Sequence, residues 1–176
     1  MTPTSRWTAS RPRRWISVAV VLVPYGPRTS PLTRRPEFFP GLELAAPGGT
    51  PVVAPAGGTV IFAGPPPRKS EADWRRLGTL LVIAHDTRTR TVYGHLERLL
   101  VKKGQRVVRG QTVARVGKSG FSPPPRLHYE VRRLSGESFL PVDPRLFILD
   151  VDWITAAELR GPPVPPADLD LPPAFH

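Results

Sequence analysis

The sequence predicts an all-β domain, a duplicated-hairpin β-sandwich or barrel-sandwich hybrid, followed by a short C-terminal helix and a proline-rich tail. Three observations carry that prediction. Short β-branched runs recur from Gly41 to about Leu149: Thr50-Pro-Val-Val, Thr59-Val-Ile-Phe-Ala, Thr79-Leu-Leu-Val-Ile-Ala, Arg90-Thr-Val-Tyr, Arg106-Val-Val, Thr112-Val-Ala-Arg-Val and Leu127-His-Tyr-Glu-Val. Glycine and proline separate them at the intervals of a compact β domain. Proline inside a helix costs about 3 kcal/mol, so 24 prolines in 176 residues argue against a helical bundle. Finally, Gly49–Gly64 echoes Gly104–Gly117. Each holds a Val pair, a glycine turn and a second apolar strand, the pattern of two stacked hairpins.

Taken in order, Met1–Trp15 is basic through Arg6, Arg11, Arg13 and Arg14, and the apolar run Ile16–Val23 follows until Pro24 stops it. The run is far short of the roughly 20 residues a membrane-spanning helix needs. Two readings of residues 1–26 stay open. One is an export signal, with a basic n-region, a short h-region and an Arg13-Arg14 pair, although no small-x-small cleavage pattern follows. The other is a first β-branched strand. Residues 27–149 form the domain, and its Pro27–Pro40 approach shows no periodicity. The charged insertion Pro65–Arg76 reads as a surface loop. In 150–176, Asp152 is placed to cap a helix over Trp153–Arg160 that Gly161 ends. Pro162–His176 is compositionally a proline-rich tail.

Lys and Arg number 25 against 14 Asp and Glu, a net charge of +11, and all but four of the cations are arginine. Such a charge favours anionic partners and says nothing about fold. The arginines form no aromatic-interleaved stripe or known motif, so no specific nucleic acid is predicted. With no cysteine, disulfides, thiolate metal sites, iron–sulfur clusters and a Cys nucleophile are excluded.

The chemistry-bearing residues are few. Of four histidines, His176 lies in the tail, while His85, His95 and His128 lie in or beside strands. Strand alternation puts Arg126, His128 and Glu130 on one face and Leu127, Tyr129 and Val131 toward the core. A histidine on that polar face is open to two readings, a metal or ligand contact and an ordinary surface residue.

Several segments together, in this order, resemble the lysostaphin-type (LytM-like) zinc endopeptidases that cut peptidoglycan cross-bridges. They are Pro40–Val60, Val92-Tyr-Gly-His-Leu96, Val101–Gln111, Val116-Gly-Lys-Ser-Gly-Phe-Ser122, Leu127-His-Tyr-Glu-Val131 and Pro141-Val-Asp-Pro144. The resemblance covers residues from about 30 to 149. It implies that the first two zinc ligands come from an HxGxD motif read as HPGLD, which here is Phe39-Pro40-Gly41-Leu42-Glu43. Phe39 therefore stands at a ligand position, and Glu43 replaces Asp. The family's HLHFE motif reads Arg126-Leu127-His128-Tyr129-Glu130. The third ligand is kept as His128, and Arg126 stands where a catalytic histidine belongs. The other catalytic histidine is kept as His95. His85 matches a family histidine that is not a ligand.

A catalytic zinc needs about three protein ligands and an open water position. Phe39 offers no lone pair, Glu43 is a methylene longer than Asp, and Arg126 is a permanent cation that grips carboxylates and relays no proton. The resemblance, with these departures, implies a catalytically impaired domain leaning away from enzyme function. Its groove would be lined by Glu43, His95, Arg126, His128 and Glu130, with no stoichiometric zinc. It would serve as a binding or regulatory module of a bacterial cell envelope or a secreted protein. The partners expected are peptidoglycan or an anionic wall polymer and, since some degenerate relatives activate amidases, an envelope hydrolase. The alternative is an active zinc endopeptidase in which Glu37 or His85 replaces Phe39. A lipoyl or biotinyl carrier is disfavoured because Lys69, Lys102, Lys103 and Lys118 lack a carrier setting. A two-histidine phosphotransfer domain has only His95 and His128 to offer.

Overall fold

The computed structural model describes residues 18–31, 33–68, 72–122, 124–148, 152–155 and 158. Its strands, in chain order, are β1 (Val18–Val23), β2 (Gly26–Thr29), β3 (Pro36–Phe39), β4 (Leu42–Ala45), β5 (Pro51–Val53), β6 (Gly58–Gly64), β7 (Leu80–Ala84), β8 (Thr89–Gly94), β9 (Leu96–Leu99), β10 (Arg106–Val107), β11 (Thr112–Val116), β12 (Arg126–Ser135), β13 (Ser138–Val142) and β14 (Asp152–Thr155). A short helix, α1 (Ala72–Arg76), lies between β6 and β7, and a 3-10 turn covers Pro144–Leu146. The fold is all-β, as the composition predicts.

One large sheet runs β10-β6-β7-β8-β12-β4-β1-β14, with β13 paired to β12. A three-stranded sheet, β5-β11-β9, packs over it, and β2 and β3 form a separate hairpin. The internal echo has a physical meaning here. The two similar segments share their strands, β5 pairing with β11 in the small sheet and β6 with β10 in the large one. Between the sheets lies the core. Val52, Ala54, Val113, Ala114 and Val116 meet Val60, Leu81, Ile83, Tyr93, Tyr129 and Val131.

The opposite face of the large sheet carries the polar residues. Register places His128 across from Gly94 on one side and Glu43 on the other. Glu130 lies across from Val92, and Arg132 from Arg90. The alternation expected of Arg126–Val131 is what the structure shows, with Tyr129 and Val131 in the core. That face is not a surface at its centre, however: His128 and Glu130 are each 1% exposed. The surface-histidine reading of His128 is therefore corrected.

The Pro27–Pro40 approach, which shows no periodicity in sequence, forms a hairpin in which β2 and β3 pair from Gly26↔Phe39 to Thr29↔Pro36. One further expectation is corrected. A helix beginning at Asp152 gives way to β14, which pairs in parallel with β1 from Val18↔Asp152 to Val21↔Thr155. The rest of the expected helix apart from Glu158, with Gly161 and the Pro162–His176 tail, lies outside the described residues. The Thr155 hydroxyl accepts from the Glu158 N–H at 3.2 Å, and the Glu158 carboxylate accepts from the Thr155 N–H at 2.6 Å, a reciprocal capping box. The insertion Pro65–Arg76 ends in α1, and its Trp74 folds back edge-on to Phe62 with ring centroids 6.2 Å apart.

Candidate functional site

β12 supplies the floor. Arg126, His128, Glu130 and Arg132 project from one face of this strand at a spacing of two. β4 reaches the same place because Gly41 lets the chain pass close to β12. A Cβ on Gly41 would overlap the Tyr129 carbonyl oxygen and crowd the Glu130 side chain. Two residues later Glu43 starts directly opposite His128.

His95 enters from the turn between β8 and β9 with φ +61°, a left-handed conformation unusual for a non-glycine residue. Such geometry costs on the order of 1–3 kcal/mol and persists only where its surroundings enforce it. Here the His95 N–H donates to the Leu77 carbonyl at 2.7 Å, and the His95 carbonyl accepts from the Gly117 N–H at 2.9 Å. The ring is fixed as well. Nδ1 lies 2.9 Å from the Ser119 carbonyl, which only accepts, so Nδ1 carries a proton. Nε2 then faces Glu43 Oε1 at 3.5 Å.

The centre of the site is a chain of buried charge. His128 Nδ1 meets Glu43 Oε1 at 2.9 Å, and Nε2 meets Glu130 Oε1 at 2.8 Å. A carboxylate accepts at each ring nitrogen, so both nitrogens donate and the ring is an imidazolium. Arg132 Nε donates to the remaining Glu130 oxygen at 2.6 Å. Burial alone disfavours charge on all of these groups. For His128 the bonds to Glu130 and Glu43 outweigh it and raise the ring to about 9. For Glu43 burial is again the largest influence, yet the bonds from His128 and His95 hold the carboxyl down at about 2. Glu130 is also lowered against burial, through His128 and Arg132. Glu43 Oε2 is buried without a hydrogen-bond partner, and Arg126 Nε lies 3.9 Å from it.

The hairpin of β2 and β3 closes one side. Arg28 donates to Glu37 Oε1 at 2.6 Å and lays its guanidinium over the Phe39 ring, 4.5 Å from the centroid. Phe39 turns its edge toward His128, with centroids 5.5 Å apart. The structure thus brings Phe39, Glu43, His95, Arg126, His128 and Glu130 together. His85 lies on the other face of the large sheet, bonded to the Gly57 carbonyl and to Thr91, each at 2.8 Å. Of the two candidate substitutes for Phe39, Glu37 is paired with Arg28 and His85 faces away from the site.

Sequence reasoning missed Arg132, Arg28, Ser119 and Trp74. Arg132 was findable, because the period of two that groups Arg126, His128 and Glu130 continues to it. Trp74, over which Arg132 stacks at 5.7 Å, gives no such signal from inside a charged insertion.

As arranged, these residues do not fit a tetrahedral zinc ion. His128 Nδ1 is in direct contact with the Glu43 carboxylate at 2.9 Å, and Phe39 has no donor atom. Among the described residues no set of three His, Cys, Asp or Glu side chains is arranged to hold a metal.

Comparison with known proteins places the chain. Over 108 residues it is 39% identical to a lipoprotein NlpD/LppB homolog of Pseudomonas aeruginosa, covering 61% of this chain and 32% of that protein. It is 39% identical over 104 residues to the peptidoglycan DD-endopeptidase ShyB of Vibrio cholerae, covering 59% of this chain and 22% of the relative. The chain therefore spans a third or less of the length of these curated relatives. Among solved structures, a point mutant of the catalytic domain of the prophage-encoded M23 protein EnpA from Enterococcus faecalis aligns with a TM-score of 0.58 at 32% identity. That alignment covers 74% of this chain and 92% of the other. The catalytic domain of lysostaphin from Staphylococcus simulans aligns with a TM-score of 0.57 at 27% identity, covering 69% and 86%. The model of Peptidase family M23 matches residues 37–144, from the hairpin that carries Phe39 to the turn after β13. That is well over half of the chain, which belongs to Peptidase family M23.

Proposed function

We propose that this M23 domain is catalytically impaired and works as a peptidoglycan-associated binding or regulatory module of the bacterial cell envelope. The observation that carries the reading is Arg126. Its guanidinium stands at the rim of the site, 3.9 Å from Glu43 and partly open to solvent, at the position where the family motif has a catalytic histidine. A guanidinium holds carboxylates and carbonyls through charge-assisted hydrogen bonds but relays no protons at neutral pH. Peptide stems carry both acceptor types. The relatives named as peptidoglycan endopeptidases support peptidoglycan as the ligand, and the relative named as a lipoprotein supports an envelope location.

The test is to incubate the purified chain with peptidoglycan sacculi, then measure bound protein, released peptides and zinc per chain. The chain is expected to sediment with the sacculi and release no peptides. Arg126→Ala should weaken binding by about tenfold, the equivalent of one charge-assisted hydrogen bond. Peptide release that a chelator stops, with one zinc held per chain, would overturn the reading in favour of an active zinc endopeptidase.

A further inference from the structure

Two departures from the family motif coincide at the place a metal would occupy, Phe39 and Glu43. The missing donor at position 39 is the conspicuous one. The geometry points to the other as decisive: we infer that Glu43 closes the site, its extra methylene carrying the carboxylate across the metal position into a direct hydrogen bond with His128. A donor restored at position 39 therefore does not by itself restore a metal centre. This deepens the proposed function and names the residue that excludes the ion.

Two ligands of a tetrahedral zinc, each about 2.0–2.2 Å from the ion, lie about 3.3 Å apart with the ion between them. His128 Nδ1 and Glu43 Oε1 are 2.9 Å apart, in direct contact at hydrogen-bond distance. The contact at the far nitrogen does not discriminate between the two states. A ligating histidine commonly gives its other N–H to a carboxylate, so the Glu130 contact at 2.8 Å suits a metal site as well as an ionic one. The outcome rests on Nδ1. There, Glu43 has little freedom to withdraw. Register fixes its Cα opposite His128, Gly41 holds the chain against β12, and the residue is 5% exposed. The same Oε1 is also turned toward His95 Nε2 at 3.5 Å. An aspartate at 43 would end up to about 1.5 Å further back, the length of one C–C bond, and would open the gap an ion needs. Glu43 is thus a positioning residue whose carboxylate occupies His128 Nδ1, the ring atom that a metal would need.

The experiment compares the wild type with Phe39→His, Glu43→Asp and Phe39→His/Glu43→Asp. Zinc is the probe: each protein is loaded with excess zinc, dialysed, and its retained metal counted. Wild type and Phe39→His should retain less than a tenth of a zinc per chain, and the double variant about one. Full zinc retention by Phe39→His alone would overturn the inference. So would a folded double variant that retains none. If the double variant fails to fold, the single variants still decide: Glu43→Asp should retain more zinc than Phe39→His, and the reverse order would overturn the inference. Sacculus binding by the wild type plays no part in this comparison, so the inference and the proposed function fail separately.

Discussion

At the residue scale, the hydrogen bond between His128 and Glu43 ties the stability of the fold to pH from two sides. The ring rises from 6.5 to about 9, so its contribution is fully present below 6.5 and is lost as the pH climbs through 9. The carboxyl falls from 4.5 to about 2, so its contribution is present above 4.5 and is lost as the pH drops toward 2. Both shifts report the same contacts and are not to be added. Urea unfolding should therefore show a plateau between about pH 5 and 6.5, a decline through pH 9 and a second decline in acid. In His128→Gln, which carries no charge, the alkaline decline should flatten. An unfolding midpoint that stays constant from pH 6 to 10 in the wild type would contradict the imidazolium.

Tyr129 offers a second test at this scale. The family motif has Phe there, and the Tyr129 hydroxyl is buried without a hydrogen-bond partner. An unsatisfied buried hydroxyl costs about 1–3 kcal/mol. Tyr129→Phe should therefore stabilise the chain by about 1 kcal/mol, read as a higher urea midpoint at unchanged m-value. The order of residues along β12 was legible from alternation alone, because period two is a local rule. The direct bond between His128 and Glu43 was not, since it depends on the lateral register of β4 against β12, residues 85 apart in sequence.

At the scale of elements, the approach of β4 to β12 depends on Gly41. Any side chain there meets the Tyr129 backbone, which has no room to give. Gly41→Ala should cost about 2 kcal/mol, in the range of overpacked core substitutions, and should perturb the NMR signals of Glu43 and His128 together. The central strands β6, β7, β8, β11 and β12 were readable because their β-branched runs are long enough to show. β2 and β3 were not. Pro27, Arg28, Pro36 and Glu37 have poor strand propensity, and the hairpin is held by the Arg28–Glu37 pair and the Arg28–Phe39 stack instead. At the C-terminal end, Asp152 looks like a helix cap in isolation, and only the presence of β1 as a neighbour makes Asp152–Thr155 a strand. The capping box then falls at Thr155, and the sequence does carry its signature in Thr155 and Glu158.

At the scale of the whole molecule, the net charge of +11 predicts that attachment to an anionic wall is strongly ionic. Screening shortens from about 10 Å at 0.1 M salt to about 3 Å at 1 M. Binding to sacculi should weaken by about tenfold or more across that range in a sedimentation assay. A flat salt response would instead place recognition in the groove alone, with Arg126 as its main cation.

The parallel pairing of β1 with β14 also fixes how the domain bears load. The two strands run in the same direction, with Val18 beside Asp152 and Val21 beside Thr155. A pull applied at the start of β1 and the end of β14 acts along the strands, not across them. The rungs of that ladder then resist together in shear, where an antiparallel pair pulled at its open end would peel one rung at a time. The edge of the large sheet is in this sense a mechanical clamp.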